Sequence, residues 1–374
     1  MPQTCEYLIL GAGIAGASIA YHLAPHGNVI MCEMESQPGY HTTGRSAAFF
    51  AETYGGPEIR PLTMHSKSFL TNPPKDFCDG SLIHERGAIH AFEEKDRARA
   101  QVICTEMQQF LKSVHIIDRE RVIQLSPILA SSEIVGAIFD PDCGDLDVSA
   151  LHQGYLRGFK TRGGALLNDA EMLKAEKVKD GWVVHTRAGE IKAKVIINCA
   201  GAWGDVVAER AGVKPLGLKP LRRTIVMAPA DIIDPRGPIV IDIDEDYYFK
   251  PEGRQYLISP ADETLTAASD AQPEIEDIAI AVDKFERITK TSVAKVENAW
   301  AGLRTFAPDR APVIGFDDNN EGFFWSVGQG GYGIQTAPAW SEAAANIILT
   351  GDLPEKLKLL GANEKTYSPN RLCA

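Results

Sequence analysis

Cysteine pairs with the spacing of a metal or redox site are missing from this sequence. Its seven cysteines are scattered over 374 residues, and none forms a CxxC pair. An odd, widely spaced set argues against a disulfide framework and against a zinc or iron–sulfur centre. We therefore expect free thiols in a reducing compartment and no bound metal.

Long apolar runs and basic clusters are also absent. No stretch reaches the roughly 20 apolar residues of a membrane helix, and the amino terminus lacks the basic and apolar segments of a secretory signal. The 38 Lys and Arg residues against 50 Asp and Glu give a net charge of −12, which disfavours nucleic acid and anionic membranes as partners. We expect a cytoplasmic protein, with peripheral association with the inner membrane as the alternative.

What the sequence does contain is a βαβ unit at its start. The apolar run Tyr7–Leu10 predicts a buried strand, helical spacing follows from Ile14, and Asn28–Cys32 predicts the next strand. Glycines at 11, 13 and 16 form a G-x-G-x-x-G motif between the first strand and the helix. They permit a tight turn, a close approach to pyrophosphate and close helix–strand packing. This stretch predicts a dinucleotide site made by Gly11, Ala12, Gly13, Ile14, Ala15 and Gly16.

An acid follows where a ribose would lie. Glu33 ends the second strand, with Met34 beside it, and a carboxylate there hydrogen-bonds a ribose diol and repels a ribose phosphate. An NAD dehydrogenase would continue with further βα units. Here the alternation breaks at "GYHTTGRSAAFF", and the sheet resumes much later at "VIINCAGAW". This split arrangement favours FAD over NAD and disfavours NADP.

Turn residues divide the rest of the chain into further elements. Helical spacing predicts helices at residues 46–50, 94–111, 148–160, 203–210, 275–288 and 333–347. Alternating runs predict a β-meander at 172–179, 182–187 and 191–199, and antiparallel strands at "RRTIVM", "YYFKP" and "QYLIS". "FFWSVG" predicts another strand, and the last eight residues are expected to form a surface tail.

Five segments together resemble the D-amino-acid oxidase superfamily of flavoproteins, which includes glycine and sarcosine oxidases. They are "GAGIAGAS", "TTGRSAA", "VIINCAGAW", "WAGLRTFAPDRAPVIG" and "GQGGYGIQT". "QPGYHTTGRSAA", "SALHQGYLRG" and "AGVKPLGLKP" bring the resemblance closest to the bacterial D-arginine dehydrogenases. It implies a mixed α/β fold with a Rossmann-type FAD-binding domain and a substrate domain built on a large antiparallel sheet. The FAD domain would comprise residues 1–75, 145–212 and 300–374, and the substrate domain residues 76–144 and 213–299.

Further cofactor contacts are expected in three segments beyond the glycine turn. "TTGRSAA" offers hydroxyls, a guanidinium and small side chains, although a capped helix with a surface arginine would look alike. "NCAGAW" and "GQGGYGIQT" bring main chain close to the flavin, and the last helix would aim N–H groups at its N1–C2=O edge. The expected contacts are Thr42, Thr43, Arg45, Ser46, Ala47, Ala48, Met172, Ala200, Gly201, Trp203, Gly330, Tyr332, Gly333, Ile334, Gln335 and Thr336.

The substrate site is expected to be built around arginine and tyrosine. The resemblance implies that Arg304 holds the substrate carboxylate, since a guanidinium can donate two parallel hydrogen bonds to the two carboxylate oxygens. Of the pair Arg222 and Arg223, Arg223 is expected to reach the site, with a surface arginine as the alternative. Tyr248 and Tyr54 would lie over the substrate, and the Gly331 carbonyl would accept its ammonium. His41, His90 and His152 are taken as structural.

The resemblance implies hydride transfer from a D-amino acid Cα to flavin N5, with the electrons passing to a quinone or another non-oxygen acceptor. A peroxide-producing glycine or sarcosine oxidase, a 2-hydroxy-acid dehydrogenase and a non-catalytic flavin-binding subunit remain alternatives. The covalent flavin of sarcosine oxidases needs a cysteine in the late segment near the flavin. No cysteine lies between Cys199 and Cys373, so FAD is expected to be non-covalent.

The chain also departs from the D-arginine enzymes. Phe49 and Phe50 replace a histidine and a tyrosine, and Gly87, two positions after Glu85, stands in place of an acid. We therefore expect a more apolar substrate than D-arginine.

Overall fold

The computed structural model describes residues 3–229 and 234–372, which form three β-sheets and ten α-helices. The strands are β1 (Gln3–Leu10), β2 (Val29–Cys32), β3 (Phe49–Phe50), β4 (Ile83–Glu85), β5 (Ala88–Phe92), β6 (His115–Asp118), β7 (Gly136–Asp140), β8 (Gly144–Leu146), β9 (Ala165–Leu167), β10 (Met172–Val178), β11 (Gly181–Thr186), β12 (Gly189–Asn198), β13 (Lys219–Pro229), β14 (Ile239–Asp242), β15 (Tyr248–Glu252), β16 (Gln255–Ser259), β17 (Thr264–Leu265), β18 (Asn298–Phe306), β19 (Val313–Phe316) and β20 (Phe323–Val327). The helices are α1 (Ile14–Leu23), α2 (Arg60–Thr71), α3 (Arg97–Met107), α4 (Arg119–Leu125), α5 (Val148–Thr161), α6 (Gly204–Arg210), α7 (Ile275–Thr289), α8 (Gly333–Thr350), α9 (Glu355–Leu359) and α10 (Glu364–Tyr367). The mixed α/β class expected from the sequence is confirmed.

The first sheet has a parallel core in the order β9-β2-β1-β12-β20. The first half of β12 also pairs with the β10–β11 meander, and β19 pairs antiparallel with β20. Strands of a parallel sheet are buried on both faces, which is why β2 is four consecutive buried apolar residues. Helices α1, α5 and α8 share one hydrophobic core with this sheet.

The second sheet has nine strands and carries the other wall of the cleft described below. Its order is β17-β13-β16-β15-β14-β5-β7-β6, with β18 paired along β13 from Lys219↔Phe306 to Met227↔Asn298. All its pairs are antiparallel except β14 with β5. The domain boundary predicted at residue 300 falls inside β18.

The segment 46–50 is not a helix, contrary to the sequence-based expectation. Residues 46–48 have no regular structure, and Phe49–Phe50 forms β3, which pairs with Gly144 and Asp145 of β8 in the third sheet, β3-β8-β4. The helical spacing of five residues is too short to decide the conformation, because pairing with a strand about 95 positions away supplies the backbone hydrogen bonds instead.

The carboxyl-terminal segment also differs from the expected surface tail. Tyr367 is buried and donates a hydrogen bond to the Glu58 carbonyl at 2.6 Å, and Arg371 pairs with Asp309. These contacts anchor the chain end as far as residue 372; Cys373 and Ala374 lie outside the described residues.

Within the described part of the chain, no helix is long and apolar enough to cross a bilayer. The same residues contain no group of three or more His, Cys, Asp or Glu side chains arranged to hold a metal ion.

Candidate active-site cleft

A cleft of about 1760 Å³, open solvent included, begins where β1, β2 and β12 end. Leu10, Cys32 and Cys199 line it at these strand ends, and it continues to Arg223 on β13 and Arg304 on β18. Ligands of open α/β sheets bind at the carboxyl ends of the strands. The cleft is therefore bounded by the parallel sheet at one end and by the antiparallel sheet at the other.

At the parallel-sheet end of the cleft, Gly11 and Gly16 of the glycine turn leave no room for a side chain. Gly11 has φ +101°, and a Cβ there would lie 2.6 Å from the Cys199 carbonyl oxygen. A Cβ on Gly16 would lie 1.9 Å from the Gly11 oxygen, so this glycine allows α1 to pack on the turn. The Ile14 amide donates to Thr43 Oγ1 at 3.0 Å, which joins the turn to the "TTGRSAA" segment.

Glu33 places its carboxylate beside the glycine turn. It is 6% exposed and accepts hydrogen bonds from the Ala12 amide at 2.9 Å and the Glu35 amide at 3.0 Å. His152 supports the same turn from behind by donating Nε2–H to the Ala12 carbonyl at 2.9 Å. Burial lowers the pKa of His152, which keeps the ring neutral in this role.

The "TTGRSAA" segment ties the two walls of the cleft together. Thr42 Oγ1 donates to the Leu303 carbonyl at 2.9 Å, and Trp300 Nε1 donates to the Arg45 carbonyl at 3.0 Å. The Arg45 guanidinium pairs with Asp270 and donates to the carbonyls of Ala271 and Ala301. The charge of Arg45 is therefore satisfied by protein groups, although the residue also lines the cleft.

Three residues from distant parts of the chain meet at the other end of the cleft. Arg304 Nη1 donates to the Tyr54 hydroxyl at 3.1 Å. A Cβ on Gly331 would lie 2.8 Å from that hydroxyl and 3.0 Å from the same Arg304 nitrogen. The Tyr332 ring packs against Tyr54 with centroids 4.8 Å apart. Gly331 thus leaves open the space in front of a guanidinium and a phenol.

This end of the cleft carries an excess of positive charge. Burial opposes the ionisation of Arg304, but the facing phenols of Tyr54, Tyr248 and Tyr332 raise its pKa. Burial also works against the ionisation of Tyr248, yet Arg304 and Arg223 outweigh it and lower the pKa of this phenol. Within the described residues no carboxylate forms an ion pair with Arg304.

The adjacent arginines Arg222 and Arg223 lie on opposite faces of β13. Arg222 pairs with Glu274 and Asp277 at 2.9 Å each, away from the cleft. Arg223 lines the cleft, donates Nε–H to the Asp262 carbonyl at 2.8 Å and lies 3.4 Å from Glu263. Glu263 is itself held by both terminal nitrogens of Arg310 at 3.0 Å. The alternation of a strand thus brings Arg223 to the cleft.

Most residues expected at the site line this single cleft. Those expected to contact the cofactor are Gly11, Gly13, Ile14, Ala15, Glu33, Met34, Thr42, Thr43, Arg45, Ser46, Ala47, Ala48, Met172, Ala200, Gly201, Trp203, Gly330, Gly333, Ile334 and Gln335, and those expected to contact the substrate are Tyr54, Arg223, Tyr248, Arg304 and Gly331. Ala12, Gly16, Tyr332 and Thr336 lie behind this lining. The Thr336 hydroxyl, for example, donates back to the Tyr332 carbonyl of its own helix at 2.9 Å.

Sequence reasoning did not assign six polar residues of the lining to the site: Tyr40, His41, Glu171, Arg210, Thr305 and Gln329. His41 Nδ1 and Thr305 Oγ1 are buried without a hydrogen-bond partner in the structure. Buried polar atoms normally have partners, so these two favour a polar ligand in the cleft. Together with the side-chain-free glycine turn and the Glu33 carboxylate, they fit a flavin dinucleotide. The position of Thr305, directly after Arg304 in "GLRTF", was the one available signal.

The positions that depart from the D-arginine enzymes occupy different environments. Phe49 lines the cleft, whereas Phe50 is fully buried in the core behind it. Glu85 is exposed, and a side chain at Gly87 would face Phe139. Neither Glu85 nor Gly87 is part of the cleft lining.

Comparison with known proteins agrees with this geometry. The family model "DAO: FAD dependent oxidoreductase" matches residues 6–347. Mitochondrial dimethylglycine dehydrogenase of Rattus norvegicus is 24% identical over 96% of this chain, and the match spans 44% of that longer relative. Glycine oxidase of Bacillus licheniformis is 24% identical, with 93% of this chain and 94% of the relative covered. The structure of L-proline dehydrogenase from P. horikoshii superposes with a TM-score of 0.85 at 21% identity, covering 99% of this chain and 98% of that one.

The Gly11→Ala variant tests the glycine turn. We expect a loss of bound FAD, because the new Cβ would overlap the Cys199 carbonyl at 2.6 Å and force the turn away from β12. The ratio of flavin absorbance to protein absorbance after desalting measures this loss.

Gly163→Ala is the matched control. Gly163 also has a left-handed backbone, with φ +88°, but a Cβ there would meet nothing within 4 Å. Its flavin content should stay at the wild-type level; equal FAD loss in both variants would contradict the role of the close approach.

Proposed function

Because the chain belongs to the DAO family of FAD-dependent oxidoreductases, we propose that it catalyses the oxidative deamination of D-amino acids. In this reaction the substrate loses a hydride from Cα and a proton from nitrogen, and water hydrolyses the resulting imino acid to a 2-oxo acid and ammonia. The narrower resemblance to D-arginine dehydrogenases remains a prediction.

One observation carries the proposal: the partly buried Arg304 guanidinium lines the cleft and forms no ion pair with a carboxylate of the described residues, while Glu263 and Glu245 act on its charge only from farther away. A partly buried charge without a close counterion is costly, so the site is suited to an anion that completes it. A guanidinium matches the two oxygens of a carboxylate. The Tyr54 hydroxyl already lies 3.1 Å from this group, and Tyr248 faces it, so both phenols can donate to the same carboxylate.

The remaining roles follow from the same wall of the cleft. FAD, when bound, supplies the two-electron acceptor for the hydride. Arg304 and Arg223 would fix the carboxylate, and the aromatic rings of Tyr54, Tyr248 and Phe49 would exclude water from the reacting carbon. The Gly331 carbonyl would accept a hydrogen bond from the substrate amine. No side chain is needed as a base if the amine binds in its neutral form.

The substrate side chain is proposed to be apolar. Phe49 and Ile225 line the cleft near the two arginines. The acid Glu263 is paired with Arg310 and Arg223, so its charge is balanced. Near the two arginines the described residues contribute no carboxylate to the cleft lining. Glu245, outside the lining, already interacts electrostatically with Arg223 and Arg304, so a cationic substrate side chain would find no free acid there to replace its lost hydration.

A glycine or sarcosine type amine oxidase is the second candidate. It is favoured by the glycine oxidase of Bacillus licheniformis, which matches over nearly the full length of both chains. Such an activity would pass electrons to oxygen, whereas we propose a quinone or another non-oxygen acceptor. A 2-hydroxy-acid substrate would use the same carboxylate clamp.

Anaerobic mixing of the FAD-loaded protein with a panel of D-amino acids, glycine, sarcosine and lactate tests the proposal. D-leucine or D-methionine should bleach the flavin absorbance faster than D-arginine, because the lining near Arg304 and Arg223 offers apolar surface and no carboxylate. In air, the hydrogen peroxide formed should stay far below one equivalent per substrate molecule oxidised. Faster bleaching by D-arginine contradicts the apolar pocket, and bleaching by lactate or sarcosine alone would replace the proposed function.

Replacing Arg304 with Gln should raise KM for the best substrate by about 30-fold or more. This corresponds to about 2 kcal/mol, the lower range for truncating one partner of a buried charged hydrogen bond. Steady-state kinetics measure the effect. Arg222→Gln is the control, since Arg222 pairs with Glu274 and Asp277 on the opposite face of β13. An Arg304→Gln enzyme with the KM of wild type would remove this residue from the site.

The lowered pKa of Tyr248 predicts a pH dependence of carboxylate binding. As the pH rises toward the ordinary tyrosine value near 10, the phenol loses its donor and places a negative charge beside Arg304. Acetate affinity, followed by perturbation of the flavin spectrum, should therefore fall below pH 10 in wild type, and less in Tyr248→Phe. Tyr247→Phe is the control, because burial raises the pKa of Tyr247 instead. An identical alkaline decline in Tyr248→Phe would exclude this phenol as the cause.

A further inference from the structure

The side chain of Gln335 connects the first turn of α8 with the loop that carries Tyr54. It is 2% exposed, and its oxygen accepts a hydrogen bond from the Ala51 amide at 3.2 Å. Its nitrogen donates to Thr63 Oγ1 at 3.0 Å and to the Tyr54 carbonyl at 3.4 Å. All three bonds therefore reach the segment 51–63, and one amide holds both ends of the turn from Ala51 to Tyr54.

The turn itself is closed by a single backbone bond. The Tyr54 amide donates to the Ala51 carbonyl at 3.2 Å, and Gly55, with φ +102°, reverses the chain directly afterwards. On the cleft side the Tyr54 hydroxyl accepts the hydrogen bond from Arg304. The backbone of this turn is thus fixed by Gln335, and its side chain by the guanidinium.

We propose that Gln335 is a positioning residue for the carboxylate site, acting through Tyr54. Its side-chain amide holds the turn in the position from which the Tyr54 hydroxyl accepts the hydrogen bond of Arg304. Because Gln335 belongs to the first turn of α8, the helix start expected at the cofactor and the tyrosine expected at the substrate are held as one unit. The kinetic part of this proposal rests on the proposed function.

The bonding pattern distinguishes this role from simple core filling. A buried amide needs partners, but they could lie anywhere around it. Here the acceptor and both donor directions are used on one neighbouring segment, and the Ala51 amide has Gln335 as its partner. Removing the side-chain amide would release the turn without disturbing the strands that carry Arg304 and Tyr248.

Hydrogen–deuterium exchange of the FAD-loaded full chain gives a direct test. Gln335→Met keeps the approximate volume of the side chain but removes all three hydrogen bonds. We expect at least tenfold faster exchange at the Ala51 amide, read from a peptide covering residues 48–58, which begins far enough upstream to retain the label on that amide. Gln329→Met is the matched control, because the Gln329 amide donates to Ser326 at 3.2 Å within its own segment. Unchanged exchange at residues 48–58 in Gln335→Met overturns the proposal, whatever the protein oxidises.

A double-mutant cycle with Tyr54→Phe tests the kinetic part on the best substrate. If Gln335 acts through the Tyr54 hydroxyl, Gln335→Met raises KM about tenfold when Tyr54 is present and less than about twofold in the Tyr54→Phe background. The change in kcat should be smaller than the change in KM. Equal effects in both backgrounds would mean that Gln335 acts by another route. Failure of every amino acid to reduce wild type would count against the proposed function, and the exchange result would still decide the role of Gln335.

Discussion

The parallel pairing of β1 with β12 is the contact on which the cleft depends. Residues 3–10 lie beside residues 191–198, about 190 positions later, and the two strands end together. Their ends place the turn at Gly11 against the carbonyl of Cys199, at a separation that leaves no room for a Cβ. Pairing of β12 with β20 then brings the segment after residue 327 to the same edge. The cofactor end of the cleft is therefore assembled from three distant parts of the chain by strand pairing alone.

The end of the cleft that carries Arg304 and Arg223 depends on a second long pairing, between β13 and β18. It places Arg304 and Arg223 on one face of two adjacent strands, with Leu221 opposite Arg304. Thr42 and Arg45 bond to carbonyls of β18 and so fix this sheet to the segment that follows the dinucleotide unit. A partly buried guanidinium without a close acid is tolerable in this frame because the surrounding phenols face it and an anionic ligand can complete it.

The sequence was informative wherever a motif combined a backbone requirement with a chemical one. Gly11 and Gly16 could be assigned because a turn and a close helix contact exclude any side chain there. Arg223 could be preferred over Arg222 only through resemblance, and strand alternation explains the choice afterwards. The sequence alone favours a structural role for His41 and does not single out Thr305, because a single polar residue carries no pattern. The helix expected at 46–50 failed because five residues of spacing cannot compete with the pairing of Phe49–Phe50 to β8.

By itself the sequence determined the fold class, the dinucleotide turn with its acid at Glu33, and the family. Each of these features depends on residues that lie close together in the sequence. Few other structures require those residue types at those spacings. The tertiary structure alone decided which side chains face one another: the meeting of Arg304, Tyr54 and Gly331, the withdrawal of Phe50 into the core, and the span of Gln335 from α8 to the Tyr54 turn. Such contacts join residues up to 284 positions apart, and their distances follow from how the two sheets are held together, which no local pattern encodes.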